Sequence, residues 1–493
     1  MPTRRPARAA IGALVVLMTL AGCGLSTGNQ QRLQRELAGT APGGPAPTQS
    51  GAAAPEGGNV PGASTGQLPS GQNPVSVGPG SGPVQGPQAG PSAGPAGPNS
   101  VPGVTTTGTT LFSGKDNTVG ITANKVVFCV HAALTYGAAF HTSPDEFNVH
   151  WQEVNSKGGI YGRQVEVTYE NDNYSPDTAV QAATACNAKH PFFLLGGIGF
   201  DQIPAVRQYV EKVHLPYLHH SATIQGTAGQ KYSFSAEPTV ERVGDGFAAI
   251  TGLRFHGKKV GIIGRDSPNW EPGTAAFRAG AKKYGFTIVA ESKVTASQGN
   301  YTNEILNMKN HGAQVVFTWE NALANTEIVK QATAQNYHPG WVVFGANLMS
   351  QTLGNDALTT PMVGAAMNAP YSYGDYGDGF ASYAADMKQF QAEYKKWKPS
   401  VDLTGVSGDL LFWNWSAEKG MEVLLRACGK DCNRNRFIDT FLGYKGSATP
   451  SGCATDFSGD GHHGSDNVDY IEAFKAPDGK VDFRPIKHCV RAT

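Results

Sequence analysis

The chain has 493 residues, 39 basic and 39 acidic side chains and a formal net charge of zero. No basic cluster with interleaved aromatics occurs in it, which argues against a nucleic-acid partner. No H-E-x-x-H or Walker sequence occurs either, and the Gly-Val-Ser-Gly-Asp run around Ser407 lacks the glycine spacing of a nucleophile elbow, so no catalytic residue is expected.

Residues 1–22 read as an export signal. Arg4, Arg5 and Arg8 precede an apolar run of about twelve residues, too short for a membrane span of roughly twenty. The run ends in Leu20, Ala21, Gly22 and Cys23, an order that resembles the bacterial lipobox; it implies cleavage before Cys23 and lipidation of that cysteine on the extracytoplasmic face of the cell membrane. Arg4 and Arg5 also permit the twin-arginine route, although the following residues fit its pattern poorly. Residues 23–117 are Gly, Pro, Ala, Ser, Thr and Gln with almost no large apolar side chain, so they cannot offset their ordering entropy and read as a lipid-anchored tether. Its root-mean-square reach is on the order of 50 Å.

From residue 118 the elements alternate. A β run over 125–130 precedes a helix signed by a capping box of Ser143 and Glu146 around Pro144, with Phe147, Trp151 and Val154 at helical spacing. Gly158 and Gly159 end that helix, Gly162 closes the turn, and Val165, Val167 and Tyr169 alternate as a strand. Ser175 and Pro176 open the next helix, to Ala188. A strand over 192–195, a helix over 203–213 and a strand over 215–218 follow. The pattern restarts with KVGIIG at Lys259: a helix over 272–284, a strand over 286–290, a helix over 303–309, a strand over 314–318, a helix over 325–334 and a strand over 341–344. Apolar strands separated by helices of this length predict an α/β protein with parallel sheets covered on both faces.

The string SKGGIYGRQVEVTYENDNYSPDTA, residues 156–179, resembles a segment of the branched-chain amino acid binding family, the type I periplasmic binding proteins that feed ABC importers. The resemblance implies a bilobed fold of two doubly wound parallel-sheet lobes joined by a three-strand hinge, with crossings near 236–239, 366–370 and 440–444. It divides the body into a first lobe of 118–238 plus 368–441 and a second of 239–367 plus 442–493. It further implies a monomer that captures a small solute, an amino acid-like compound, amide or aromatic, and delivers it to an ABC permease and its ATPase, without cofactor or metal. A ligand-sensing receptor signalling to a membrane partner is the alternative. By the same resemblance Ser221, Ala222 and Thr223 match the loop that holds a ligand carboxylate; as simple helix caps, Ser221 and Thr223 need no ligand. Phe200 stands where the family often has a serine, Trp270 where it tends to have a Tyr-Gly pair, and Asn347 where an acid usually meets an α-ammonium. These departures weaken the case for an ordinary amino acid. Aromatics at the cleft, Tyr136 or Phe140, Phe200, Trp270 and Trp319, suggest stacking on a flat or apolar ligand, with Glu320 and Asn321 following the Trp319 strand as polar contacts. Packing between helix and sheet is the alternative for Trp319 and Tyr136.

Six cysteines besides Cys23 permit fifteen disulfide pairings. The preferred set joins Cys129 to Cys186 and leaves Cys428, Cys432, Cys453 and Cys489 to pair among themselves; a zinc site from Cys428, Cys432 and His462 is the rival. The pairs His219–His220 and His462–His463 read as ordinary histidines. Asp456, Ser458, Asp460 and Gly461 resemble the start of a calcium loop whose twelfth position is Asn467 rather than Glu.

Overall fold

The computed structural model describes residues 108–135, 146–196, 199–220, 223–235, 237–296, 298–346, 360–366, 381–401, 403 and 405–446, and within the last stretch 453, 455–457, 462–475, 479 and 481–491. The expectations for Cys23, Tyr136, Phe140, Ser143, Ser221, Ala222, Asn347 and residues 458–461 lie outside the described residues.

A 3-10 turn over Gly114–Thr118 leads into β1 (Lys125–Ala132). There follow α1 (Val149–Ser156), β2 (Gln164–Asn171), α2 (Pro176–Ala188), β3 (Phe193–Gly196), α3 (Gln202–Val213), β4 (Tyr217–His219), α4 (Ile224–Thr227) and β5 (Ser233–Ser235). These strands form a sheet in the order β2-β1-β3-β4-β5 with every pairing parallel. Parallel neighbours cannot be joined by a tight turn, so each connection carries a helix that covers a sheet face.

The turn between α1 and β2 runs through Gly158, Gly159 and Gly162, all at positive φ. A Cβ on Gly159 would stand 1.9 Å from the Arg163 carbonyl oxygen, so the glycine there is a steric requirement. Helix α1 begins later than its expected capping box: Asn148 sits at φ 64°, a left-handed conformation through which a helix does not continue. Pro176 is the first residue of α2 as expected, and Ser175 occupies the N-cap position without a side-chain cap bond.

The second sheet is fed by α5 (Val240–Phe255) and built from β6 (Lys259–Arg265), α6 (Glu271–Tyr284), β7 (Thr287–Val294), α7 (Thr302–Asn310), β8 (Val315–Trp319), α8 (Ala322–Ala334), β9 (Gly340–Val343) and β10 (Met362–Ala366). The chain then forms α9 (Ala381–Trp397), α10 (Gly405–Cys428), α11 (Arg434–Gly443), the short pair β11 (Lys445–Gly446) and β12 (Thr455–Asp456), and the strands β13 (Asn467–Lys475) and β14 (Val481–Arg491). The second sheet runs β14-β13-β10-β9-β8-β6-β7. It is parallel from β7 to β10, but β13 is antiparallel to β10 and to β14. The expectation of purely parallel sheets misses this edge, because β13 and β14 follow each other too closely for a crossover.

Met421, Leu424, Phe437 and Phe441 of α10 and α11 pack in one core with Phe128, Trp151 and Phe193 of the first sheet and α1. Three described residues beyond α11 also lie on that side. Phe457 packs on Phe441, His462 stacks on Phe234, and His463 bridges to Ser235. The disulfides are Cys129–Cys186, Cys428–Cys432 and Cys453–Cys489. The rival zinc reading falls with them, since Cys428 and Cys432 bond to each other. Cys453, Asp469, His488 and Cys489 also cluster within ligand distance, but two of the four donors are spent in the third disulfide.

Candidate functional site

In open α/β sheets, ligands bind beyond the carboxyl ends of the strands where the strand order reverses direction. In the first sheet that switch lies between β1 and β3, which end at Ala132 and Gly196. Gly196 has φ 101°, and a Cβ on it would meet the His131 carbonyl oxygen at 2.3 Å, so this strand end admits only glycine. In the second sheet the switch lies between β6 and β8, which end at Arg265 and Trp319. The loop leaving β3 brings Phe200 and Asp201 to the loop leaving β6, so the two switch points meet.

Aromatic side chains fill this meeting point. The Phe200 ring centroid lies 4.6 Å from Trp270, 5.7 Å from Trp319 and 5.5 Å from Phe344, and Trp319 lies 4.7 Å from Phe344. The Trp319 indole N–H donates to the Trp270 carbonyl oxygen at 2.9 Å. Phe200, Trp270 and Trp319 are buried among their neighbours. Beside Phe200, Asp201 accepts from Ser267 Oγ at 2.6 Å, Asn269 Nδ2 at 3.1 Å and Trp270 Nε1 at 3.1 Å, and Arg265 reaches it at 3.4 Å. The Arg265 guanidinium is itself held by Glu320 through Nε at 2.7 Å and a second nitrogen at 2.5 Å, and lies 5.0 Å from the Trp270 ring centroid. Glu320, expected as a polar ligand contact, is thus committed to Arg265. Asn321 caps α8 through its side-chain oxygen.

A cavity of about 90 Å3 lies against the ends of β1 and β3, under α1 and α10. Leu134, Phe147, Trp151, Val167, Leu195 and Trp413 supply its apolar wall, and His131, His220, Asn414 and Glu418 its polar groups. His131 is buried between Asp172, 3.0 Å from its Nδ1, and the Tyr217 hydroxyl, 2.8 Å from its Nε2. Trp413 packs on His220 with centroids 4.2 Å apart. Glu418 accepts the backbone N–H groups of Asn148 and His150 and the Asn414 side-chain amide. Burial pushes its carboxyl up to about 7, against the nearby His150 and those hydrogen bonds. His150 shows the reverse balance. Burial alone would lower its pKa, but its hydrogen bonds to Glu393 at 3.1 Å and Glu422 at 2.8 Å raise it to about 9.

Thr223 caps α4, its hydroxyl accepting from the Gly226 N–H at 2.9 Å. Beside that cap the Arg207 guanidinium faces Gly226, and the buried His219 lies near it. Among the described residues, Arg207 Nε and Nη1 and both ring nitrogens of His219 have no hydrogen-bond partner. Burial holds both pKa values below the ordinary range, and the Arg207 charge pushes His219 further down. Asp201, Arg265, Arg207 and Glu418 are not among the residues expected from the sequence. Arg265 had a visible signal, a lone charge closing an apolar strand; Asp201, Arg207 and Glu418 had none.

Residues 147–474, more than half of the chain, match a family model described as periplasmic binding protein. The chain belongs to that family. It is a family of binding proteins rather than enzymes, and its location is extracytoplasmic. No helix among the described residues is long and apolar enough to cross a membrane. One curated relative is Leu/Ile/Val-binding protein homolog 8 of Brucella abortus, 24% identical over 233 residues, or 45% of this chain. The match spans 57% of that relative's length. Similar solved structures include a fatty acid ABC transporter substrate-binding protein from Thermomonospora curvata, with TM-score 0.62, 15% identity, and 76% of this chain and 94% of that one covered. Another is a solute-binding protein of an ABC transporter from R. palustris in complex with 4-hydroxybenzoate, with TM-score 0.62, 14% identity and coverage of 75% and 98%. At these identities the likeness shows the fold: an α/β type I periplasmic binding protein with two lobes.

Proposed function

We propose that this chain is a lipid-anchored, extracytoplasmic solute-binding protein that captures a small organic ligand with an apolar or aromatic body and delivers it to an ABC permease. In this reading Cys23 carries the lipid and residues 23–117 are the tether. Residues 118–238 plus 368–441 make lobe 1 and residues 239–367 plus 442–493 make lobe 2. The strand membership of the two sheets supports that division, with Phe457, His462 and His463 leaning on lobe 1. The protein acts as a monomer that binds reversibly, and closure of the lobes on the solute is the state offered to the permease and its ATPase.

The observation that carries the reading is the meeting of both strand-order switch points at one aromatic and charged junction. A solute placed there touches both lobes at once. In this reading the rings of Trp270 and Trp319, which Phe200 covers, are the aromatic surface, Ser221, Ala222 and Thr223 supply polar groups from lobe 1 as the family resemblance implies, and the cavity beside His131 adds apolar wall. The relatives named for branched-chain amino acids, a fatty acid and a hydroxybenzoate support an organic solute with an apolar part.

A thermal-shift screen of the oxidised full chain against amino acids, amides, aromatic acids, fatty acids and sugars tests this. Binding to the native state alone raises the melting temperature by mass action. A saturable shift with one class of compound is expected. No shift across the panel, with a cooperative melting transition intact, would overturn solute capture.

A further inference from the structure

We propose that Phe200 and Asp201 form a built-in pseudo-ligand: lobe 2 carries a receptor for a ring and a carboxylate, the chain fills it with its own side chains when empty, and its solute is an aromatic carboxylate that displaces them. This inference rests on the solute-binding reading.

The chemistry of the contact is that of recognition. Asp201 receives three hydrogen bonds and the approach of a guanidinium, all from the last residue of β6 and the loop after it, residues 265–270. Phe200 enters a box of Trp270, Trp319 and Phe344, all carried by the second sheet and its loops. One carboxylate with convergent donors and one ring with three aromatic neighbours, on adjacent residues, is more than a loop needs to stay folded. Both groups come from the loop after β3, on the other sheet, so each contact breaks when the lobes part. The receptor also stands at the strand-order switch of its sheet, where a ligand is expected. Glu320 neutralises part of the Arg265 charge and fixes its plane, which orients the remaining guanidinium face toward the carboxylate.

A solute with a ring and a carboxylate satisfies the same donors and the same box. Its apparent affinity is reduced by the fraction of molecules in which the receptor is already filled. Removing the internal occupant therefore tightens binding of the external one, whereas removing an ordinary contact residue weakens it.

The test is isothermal titration of the full chain and of the variants Phe200→Ala, Asp201→Asn and the double variant, each checked by circular dichroism and a cooperative melt. The probes are benzoate, phenylacetate and 3-phenylpropanoate, each beside its neutral amide. Carboxylates are expected to bind the double variant at least about tenfold more tightly than the wild type, with each single variant in between and the amides gaining little. Equal or weaker carboxylate binding by all three variants would overturn the proposal, showing that Phe200 and Asp201 contact the solute or stand apart from it. An equal gain for the amides would also overturn it, since the receptor would then not be reading the charge. If another class of solute binds wild type and variants alike, this inference falls and solute capture stands. If a wide panel binds neither, both fall.

Discussion

Replacing His150 by glutamine probes how the wall of the cavity is held. His150 lies on α1 between Glu393 of α9 and Glu422 of α10, and its own backbone N–H is bonded to Glu418 of α10. Trp415 Nε1 donates to Glu393 at 2.6 Å, and the imidazolium between Glu393 and Glu422 ties α1 to α9 and to α10, of which α1 and α10 roof the cavity. Raising this histidine from 6.5 to about 9 corresponds to about 3 kcal/mol of folding free energy. Because the folded pKa is the higher one, that contribution is fully present below pH 6.5 and is lost as the pH rises through 9. Glu418, raised from 4.5 to about 7, has the same sign, with its contribution present below 4.5 and lost through 7. Glu422 has the opposite sign. Burial alone would raise it, but the bonds to His150 and Arg426 lower it to about 2, so its share is present above 4.5 and lost as the pH falls through 2. His150→Gln removes the charge and leaves carboxylates buried around a neutral amide, a change that costs roughly 3 to 5 kcal/mol when one partner of a buried pair is lost. Urea unfolding at pH 6, 7.5 and 9.5 reads both effects. The wild type is expected to lose about 3 kcal/mol of stability from His150 across that range, on top of a smaller loss from Glu418, while the variant starts lower and keeps only the Glu418 loss. A variant with the wild-type slope would refute the claim that His150 is the charged centre of the cluster.

Two further outcomes follow from other parts of the chain. The Cys129–Cys186 bridge closes a separation of 57 residues and the Cys428–Cys432 bridge one of 4, so loop-closure entropy predicts losses of about 4 and about 2 kcal/mol for the respective double alanine variants. Urea midpoints in the reverse order would show that native packing, not loop closure, sets their contributions. Arg207→Met removes a buried guanidinium with two unpartnered nitrogens and is expected to raise stability by roughly 1 to 3 kcal/mol, measured in the same assay. A fall in stability would mean that the charge is compensated.

What could be read from the residues and what could not divides by distance along the chain. The turn at Gly158, Gly159 and Gly162 and the helix opened by Pro176 are local: steric rules that act over a few residues write them directly into the string, and the structure places them where the string does. The parallel strands follow from apolar runs for the same reason. The junction between the sheets is built from pairs such as Arg265 with Glu320 and Asp201 with Ser267, 55 and 66 residues apart, and no spacing rule selects one carboxylate over another at that range. His150 is a sharper case, since its partners lie 243 and 272 residues away on helices that meet only after both sheets have formed. The aromatic site shows why this matters for function. Local pattern brings Phe200 and Trp270 to facing strand ends, but only the folded chain reveals that the two rings stand 4.6 Å apart with a carboxylate and its donors beside them. On the proposed reading, a solute competes with the protein's own side chains for that space. Affinity at such a site depends on how easily the lobes part as much as on the contacts the solute makes, so residues that only hold Phe200 and Asp201 in place belong to the binding energetics too.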